Sequence, residues 1–432
     1  MKKSALLLAV LIGASFGFIS CYGGPHLILP PSKINERVLA SQSASSPTAF
    51  AGLIIINGQI DTPEQGGINA GGSPGLMTTS PDRTILLAFD SSSNKVEVVS
   101  TTKESNTGSI QLAGLTTSMV VPDSSVAYAA VSSAPINGQP SGGIVEMNLA
   151  TGGITATISV PNAQTVVANS SGTQLLVFSN DSDSLTIVSP LLLNTGSPVT
   201  VTVPACTGCR PVNAIFSGDG STAYILNCGT ECAGGAQPNV QILNLGTTPP
   251  TLGPPVAVDG ATIAFLSNST LYVAGNSPAN NLCAGETTAA TTCGRLDLLD
   301  VASMTVTSSA VITDGYHDRI DMSVNGQLFI GSYDCTNVGN VENPQGEVRG
   351  CLSIFNTTNS AVVIPPDNGD VTGLQSFTSR DVEYVAEGGN LRVYDTLIDS
   401  LLLDNSNDPN IPETGTIVIT GYVIDVKAVD FF

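Results

Sequence analysis

The sequence predicts an all-β protein, a β-propeller built from four-stranded blades. Sustained helical periodicity is nearly absent after the first twenty residues. Short apolar runs rich in Val, Ile, Leu and Thr alternate instead with clusters of Gly, Pro, Asn, Asp and Ser, which is the pattern of strands and turns. The runs recur in groups of four, and the groups follow one another at about 40 to 60 residues, a period typical of propeller blades.

Each predicted blade opens with an innermost strand, and seven such strands can be placed. They lie near Leu76, Met119, Val166, Ile215, Ile263, Met322 and Phe377. The third group shows all four of its runs, "AQTVVANS", "TQLLVFSN", "SLTIVSP" and "SPVTVTVP". Because one blade cannot bury both of its faces, neighbouring blades must stack and the ring must close.

The two ends of the chain are predicted to share an eighth blade. After the seventh group, "TIVIT" supplies an outer strand and "YVIDVKAVDFF" begins a further innermost strand. The N-terminal segments "ERVLASQ", "FAGLIIING" and "QGGINAG" supply the second, third and fourth strands of that blade. We therefore expect one eight-bladed domain over residues 36–432. Seven blades are the alternative, if the terminal segments only extend an existing blade.

Residues 1–20 are predicted to be a targeting segment, since Lys2 and Lys3 precede the apolar run "ALLLAVLIGASFGFI". Cys21 follows a small residue, which resembles the bacterial lipoprotein signal, although Phe18 stands where that signal usually has Leu. The resemblance implies that Cys21 becomes the lipidated first residue of the mature chain, with residues 21–35 as a tether. An ordinary cleaved signal peptide is the alternative. We expect an exported protein of the cell envelope, facing the periplasm or the cell exterior, that meets the membrane only through a lipid anchor.

The charge balance argues against one class of partner. The chain has 432 residues and 42% hydrophobic content, which is enough for a large core, and a net charge of −21 from 14 basic and 35 acidic residues. A surface with such an acidic excess repels phosphate backbones, so we do not expect a nucleic-acid partner.

The cysteines fit an oxidising compartment. Nine are present, and eight remain if Cys21 is lipidated. We expect four local disulfides, Cys206–Cys209, Cys228–Cys232, Cys283–Cys293 and Cys335–Cys351. Exchange of partners between the first two pairs is an alternative. A redox site at "CTGC" and a zinc site built from the first four of these cysteines are others, but no helix pattern follows "CTGCRPVNA", as a thioredoxin-like redox motif would require.

Several fragments resemble the YVTN family of β-propeller repeats. They are "AYILNCG", "LYVAGN" and "EYVAEGG", following turns such as "SPDRT" and "SGDGST". The resemblance covers nearly all of the mature chain, with each repeat degenerate, and it implies an exported surface or periplasmic propeller. It says little about activity, because propellers host binding, scaffolding and several unrelated chemistries. Lactonases of the phosphogluconolactonase kind share related repeats and form the main enzymatic alternative.

One face of the predicted propeller carries long loops. Loops that enter an innermost strand and loops that join the second to the third strand lie on the same face, and all eight mature cysteines fall in such loops. The sharpest polar motif on this face is "TDGYHDR", residues 313–319, before the sixth innermost strand. Long loops on a rigid scaffold are where function usually resides.

This motif supplies the candidate site. His317 is the only histidine of the predicted folded body, and Asp318, Asp334 and Glu387 are the carboxylates expected near it. An imidazole beside a carboxylate can act as a general base, with Asp318 and Glu387 as weak catalytic candidates.

The same motif also supplies binding candidates. Arg319 can hold a carboxylate ligand or an oxyanion, and Tyr316 and Tyr333 are the aromatic candidates of this face. The alternative is that His317 and Arg319 make structural hydrogen bonds that tie adjacent blades together, and we favour this reading.

No cofactor is expected, and bound calcium is the alternative. "DSDS" at 181–184 and "DNSNDPN" at 404–410 place oxygens at alternating positions, as calcium loops do, but neither has the Gly and distal Glu of an EF-hand. Solvated turns are the default reading of both. Trp is absent, which argues against the quinone-cofactor propellers with tryptophan docking motifs.

Three functions fit these observations. We favour a non-enzymatic propeller that binds an envelope protein or a small ligand through its disulfide-bearing face. The alternatives are a lactonase-like hydrolase with its site at the channel mouth around His317, and a structural component of a surface layer. A single histidine weighs against hydrolysis.

Overall fold

A computed structural model describes most of the chain after residue 29. The described residues are 30–43, 51–136, 138–179, 181–189, 199–278, 292–335, 350–365, 369–402, 415–419 and 421–430. The predicted signal segment 1–20, Cys21, Cys283 and residues 404–410 lie outside this part. Within it, no helix is long and apolar enough to cross a membrane.

The described residues form eight antiparallel sheets arranged as the blades of a propeller. Blade 1 contains β1 (Arg37–Ser43), β2 (Gly52–Asn57), β3 (Thr62–Ile68) and the last strand, β34 (Tyr422–Ala428). Blade 2 contains β4 (Pro74–Thr79), β5 (Ile85–Asp90), β6 (Lys95–Ser100) and β7 (Ser105–Gln111). Blade 3 contains β8 (Ser118–Asp123), β9 (Val126–Val131), β10 (Gly143–Asn148) and β11 (Gly153–Ser159). Blade 4 contains β12 (Ala163–Ala168), β13 (Leu175–Ser179), β14 (Ser184–Ser189) and β15 (Val199–Pro204).

The second half of the ring follows the same plan. Blade 5 contains β16 (Pro211–Phe216), β17 (Thr222–Asn227), a 3-10 helix (Gly229–Cys232), β18 (Asn239–Asn244), β19 (Thr251–Leu252) and β20 (Val256–Ala257). Blade 6 contains β21 (Ile263–Ser267), β22 (Thr270–Pro278), β23 (Thr292–Asp300) and β24 (Thr305–Ile312). Blade 7 contains β25 (Tyr316–Met322), β26 (Gln327–Tyr333), β27 (Leu352–Asn356) and β28 (Val362–Val363). Blade 8 contains β29 (Val371–Ser376), β30 (Val382–Glu387), β31 (Asn390–Asp395), β32 (Ser400–Leu401) and β33 (Thr416–Ile417).

The ring closes through both ends of the chain. β34 is the innermost strand of blade 1 and pairs antiparallel with β1, with Val38 opposite Ala428 and Ala40 opposite Val426. β33 pairs with β31 as an outer strand of blade 8, as "TIVIT" predicts. The predictions of eight blades and of a shared terminal blade are therefore confirmed, and the seven-bladed alternative is wrong.

A buried ion pair reinforces this closure. Arg37 of β1 is 4% exposed, and its backbone N–H and its Nε both donate to Asp430 Oδ2 at 2.8 Å. Its Nη1 also lies 3.1 Å from Glu104, which belongs to the β6–β7 turn of blade 2. The guanidinium thus joins the first strand, the chain end and the next blade.

The hydrophobic core lies between blades. Leu87 and Val98 of blade 2, for example, share one buried cluster with Ala129 and Val145 of blade 3. A Leu or Val side chain contributes about 1.5–3 kcal/mol to stability when it is fully buried. Both faces of each sheet are needed for this packing, which is why the second and third strands are almost continuously apolar.

Polar side chains on innermost strands connect one blade to the next. An innermost strand has an open edge with backbone N–H groups that need acceptors. Ser118 of blade 3 accepts from Val166 N–H of blade 4 at 3.0 Å, and Asp321 of blade 7 accepts from Ser376 N–H of blade 8 at 2.7 Å. Gln375 of blade 8 accepts from Ala428 N–H of blade 1 at 3.1 Å, and Asp425 of blade 1 accepts from Met77 N–H of blade 2 at 2.8 Å.

Candidate functional site

The loops that enter innermost strands and those that join second to third strands form one face, the loop face. It carries the disulfides Cys206–Cys209, Cys228–Cys232 and Cys335–Cys351, with Cα–Cα distances of 5.2, 5.6 and 5.6 Å. These are the local pairs expected from the sequence. Cys293 is also disulfide-bonded, but Cys283 lies outside the described residues, so the pairing of those two stays a prediction.

The "CTGC" loop is held by a carboxylate from the preceding blade. Asp183 accepts hydrogen bonds from Gly208 N–H at 2.7 Å and Arg210 N–H at 3.2 Å, and these bonds lower the pKa of Asp183. The strand β16 follows the loop. Asp183 of the "DSDS" segment therefore anchors a loop, and the described residues contain no group of three or more His, Cys, Asp or Glu that could hold a metal ion.

Residues 313–319 enter β25 through a turn that requires glycine. Gly315 has φ +95°, and a Cβ there would lie 2.6 Å from the backbone oxygen of Tyr333. The register between β25 and β26 shifts between His317 and Arg319, so Asp318 is the extra residue of a bulge. The bulge places Tyr316, Asp318 and Arg319 at the start of an innermost strand, on the loop face.

His317 is a buried neutral residue. It is 0% exposed, and its Nε2 lies 2.9 Å from the backbone oxygen of Thr313, so Nε2 carries the proton and donates. Burial lowers the pKa of His317 to about 4, although the hydrogen bond to Thr313 acts in the opposite direction. Nδ1 has no hydrogen-bond partner in the described part of the chain. The observed hydrogen bond is structural, but it stays within residues 313–317, whereas the interpretation favoured from the sequence was a tie between adjacent blades.

Two of the three residues expected to bring a carboxylate near His317, Asp334 and Glu387, make the following contacts. The backbone N–H of Asp334 donates to Asp370 Oδ1 at 2.9 Å. Glu387 is 0% exposed and accepts a hydrogen bond from the Tyr394 hydroxyl at 2.9 Å. Both residues are therefore parts of blade-to-blade and within-blade contacts of the fold.

Tyr316 and Tyr333 form an exposed aromatic pair. They face each other across β25 and β26, with ring centroids 5.2 Å apart and an interplanar angle of 44°. Each is 36% exposed. The pKa of Tyr316 is raised to about 12, mainly by burial and to a smaller extent by the nearby Tyr333, Asp318 and Glu231. Its hydroxyl therefore stays protonated at neutral pH.

Asp318 and Arg319 lie beside this pair. Arg319 Nη1 is 2.8 Å from Asp318 Oδ2, and Arg319 Nε donates to Thr372 O of blade 8 at 2.7 Å. Burial raises the pKa of Asp318, and the Arg319 guanidinium opposes that shift. The only guanidinium of the motif is therefore committed to one carboxylate and to the neighbouring blade, which is the predicted tie between blades.

Glu231 is a site residue that sequence reasoning missed. It lies in the 3-10 helix closed by the Cys228–Cys232 disulfide, and its Oε1 accepts a hydrogen bond from Asn276 N–H at 2.9 Å. The side-chain Nδ2 of Asn276 donates to Gly315 O at 2.6 Å. Burial raises the pKa of Glu231 to about 7. The sequence signal that could have revealed Glu231 is an acidic residue between two cysteines that are only four positions apart.

Comparisons with known proteins support the fold. No protein-family model and no curated protein sequence matches the chain. Among solved structures, dihydro-heme d1 dehydrogenase NirN has a TM-score of 0.56 and 10% identity, with 92% of this chain and 75% of NirN covered. A proposed 6-phosphogluconolactonase of Bacteroides uniformis has a TM-score of 0.51 and 12% identity, covering 91% and 99%. Periplasmic gluconolactonase PpgL of Pseudomonas aeruginosa has a TM-score of 0.48 and 14% identity, covering 91% and 98%. At such identities the likeness to NirN and to the Bacteroides protein shows a propeller fold alone.

Proposed function

We propose that the protein is an exported, lipid-anchored propeller of the YVTN type that binds a partner or ligand through its loop face without catalysing a reaction. The observation that supports this most is the exposed pair Tyr316 and Tyr333. A tilted aromatic pair on a stapled frame offers a rigid apolar surface with little ordering cost on binding. The two rings lie at the start of β25 and at the end of β26, on the loop face.

The groups around the pair favour a positively charged ligand. After burial, which is the largest cause, Glu231 and Asp318 are among the residues that raise the pKa of Tyr316. After burial, the pKa of Tyr333 is raised by Asp318, Asp334 and Asp370. Arg319 is the single cation that opposes them at Tyr333, and it is already paired. Aromatic faces next to carboxylates attract ammonium and guanidinium groups, so we expect a quaternary ammonium ligand or a Lys- or Arg-bearing partner.

Choline and its neutral isostere 3,3-dimethyl-1-butanol test this proposal. Calorimetric titration should show saturable binding of choline, and binding of the neutral alcohol should be about tenfold weaker, the effect of one cation–π contact of about 1–2 kcal/mol. The double variant Tyr316→Ala, Tyr333→Ala should lose choline binding. Leu397→Ala, an exposed site on the opposite face, is the control and should bind as the wild type does. Equal binding of both ligands, or of the double variant, would contradict the proposal.

A hydrolase is the second candidate, and Glu231 is the observation that favours it. A carboxyl group with a pKa of about 7 beside Tyr316 has the protonation behaviour of a general acid or base. The test is turnover of a panel of sugar lactones, with Glu231→Gln as the inactivated variant and His317→Gln as the control. Turnover that disappears only in Glu231→Gln would replace the binding proposal.

A further inference from the structure

Glu383 is a buried acidic residue of blade 8, and it is separate from the tyrosine pair of the loop face. Glu383 of β30 is 0% exposed, and among the described residues no side-chain donor makes a hydrogen bond to either of its carboxyl oxygens. A buried carboxylate without a partner is strongly unfavourable, whereas the neutral acid is tolerated and has a proton to donate. Glu383 therefore needs an acceptor nearby.

Asp321 of β25 is the acceptor that we infer, because Val385, two residues from Glu383 on the same face of β30, packs against Phe329 of blade 7, the blade that carries Asp321. Its Oδ1 accepts a hydrogen bond from Met322 N–H at 2.8 Å and its Oδ2 from Ser376 N–H at 2.7 Å, the second bond crossing from blade 7 to blade 8. Ser376 is the residue opposite Glu383 in the pairing of β29 with β30, so this bond brings the Asp321 carboxyl group to the same contact as Glu383.

The other elements around Glu383 add one cation. Lys427 of β34 faces Glu383, but its Nζ lies 3.0 Å from Asp425 Oδ1. From β29 the neighbour is the neutral backbone amide of Gln375. From β31 the cross-strand partner of Glu383 is Tyr394, whose hydroxyl donates to Glu387.

We propose that Glu383 and Asp321 share one proton at the contact between blades 7 and 8, and that this shared proton makes closure of the ring depend on pH. The pair affects the stability of the contact between blades 7 and 8, and this role does not depend on the function proposed above. Glu383 donates its carboxyl hydrogen to Asp321, which keeps Ser376 and Met322 in place. Removal of that proton leaves two carboxylates side by side in a buried contact.

The sign of the pH dependence follows from the linkage of protonation to folding. Burial and the Asp321 carboxylate raise the pKa of Glu383 well above its ordinary value of 4.5, and Lys427 opposes this. Below pH 4.5 the group is protonated in both the folded and the unfolded state. Above it, only the unfolded state releases the proton, so stability falls as the pH rises until the folded pKa is reached.

Glu383→Gln removes this proton and keeps the shape of the side chain. Urea unfolding gives the equilibrium constant of unfolding for each protein. The wild-type constant divided by that of the variant should rise about tenfold per pH unit above pH 4.5, the slope that one proton produces. The variant should therefore gain stability relative to the wild type as the pH rises above 4.5. A ratio that does not change between pH 4.5 and 8 would overturn the proposal.

A second measurement covers a Gln variant that does not fold. In a Glu231→Gln background with carbon-13 labelled glutamate, infrared spectroscopy should detect a glutamate carboxyl group that stays protonated at a pH where exposed glutamates are ionised. In Asp321→Asn, which lacks the neighbouring carboxyl group, that signal should disappear at a lower pH. Absence of such a protonated glutamate, or an unchanged titration in Asp321→Asn, would overturn the proposal.

Discussion

At the scale of single residues, environment separates the members of the motif "TDGYHDR". His317, the residue with the most obvious chemistry, is buried and neutral, whereas the adjacent Tyr316 is exposed. The strand alternates side chains between its two faces, and the bulge at Asp318 changes this order once. A histidine in a polar motif is therefore a weak guide to a site until its burial is known.

The protonation state of His317 gives the first prediction. Because the folded pKa of about 4 lies below the ordinary value of 6.5, the unfolded state binds the proton first as the pH falls. The wild type should lose up to about 3 kcal/mol of stability relative to His317→Gln between pH 6.5 and pH 4, and nothing above that range. Urea unfolding at several pH values measures this. A constant difference would show that His317 is accessible to protons in the folded state.

At the scale of elements, the strands were predictable and their local irregularities were not. Apolar runs and turn residues marked the innermost strands, because both faces of every blade are buried. The bulge at Asp318 and the 3-10 helix that carries Glu231 left no periodic signal, since the bulge is one extra residue in the β25–β26 pairing and the helix is only four residues long. This is why the sequence pointed to the loop face and to the tyrosine pair but missed Glu231.

The turn before β25 gives the second prediction. Gly315→Ala should destabilise the protein by about 1–3 kcal/mol, because its φ is positive and a Cβ would meet the backbone of Tyr333 and Cys335. Gly218→Ala is the matched control, since a Cβ there meets nothing within 4 Å. It should change stability by about 0.5 kcal/mol or less. Thermal unfolding of both variants compares them, and equal effects would contradict the requirement for glycine at Gly315.

At the scale of the whole molecule, closure of the ring depends on contacts between residues almost four hundred positions apart. β1 and β34 pair over most of their length, and Arg37 binds Asp430 beside that pairing. The sequence allowed this prediction because the last apolar run lacked the rest of its blade. The exact partners of Arg37 could not be predicted, since they depend on where the end of the chain lies in the closed ring.

A double-mutant cycle between Arg37 and Asp430 gives the third prediction. The two single alanine variants and the double variant should show a coupling free energy of about 1–3 kcal/mol, because the ions are close and largely buried. Urea unfolding of the four proteins supplies the values. A coupling near zero would mean that the chain end does not hold the first strand in solution.

The position of the ligand on the loop face is the central functional claim, and it can be measured directly. The chain has nine tyrosines, and carbon-13 labelling of their rings makes each visible by NMR during a titration with choline. The account predicts that Tyr316 and Tyr333 shift together and saturate, while the remaining tyrosines stay in place. Shifts that are centred on other tyrosines, or that the neutral alcohol reproduces, would contradict it.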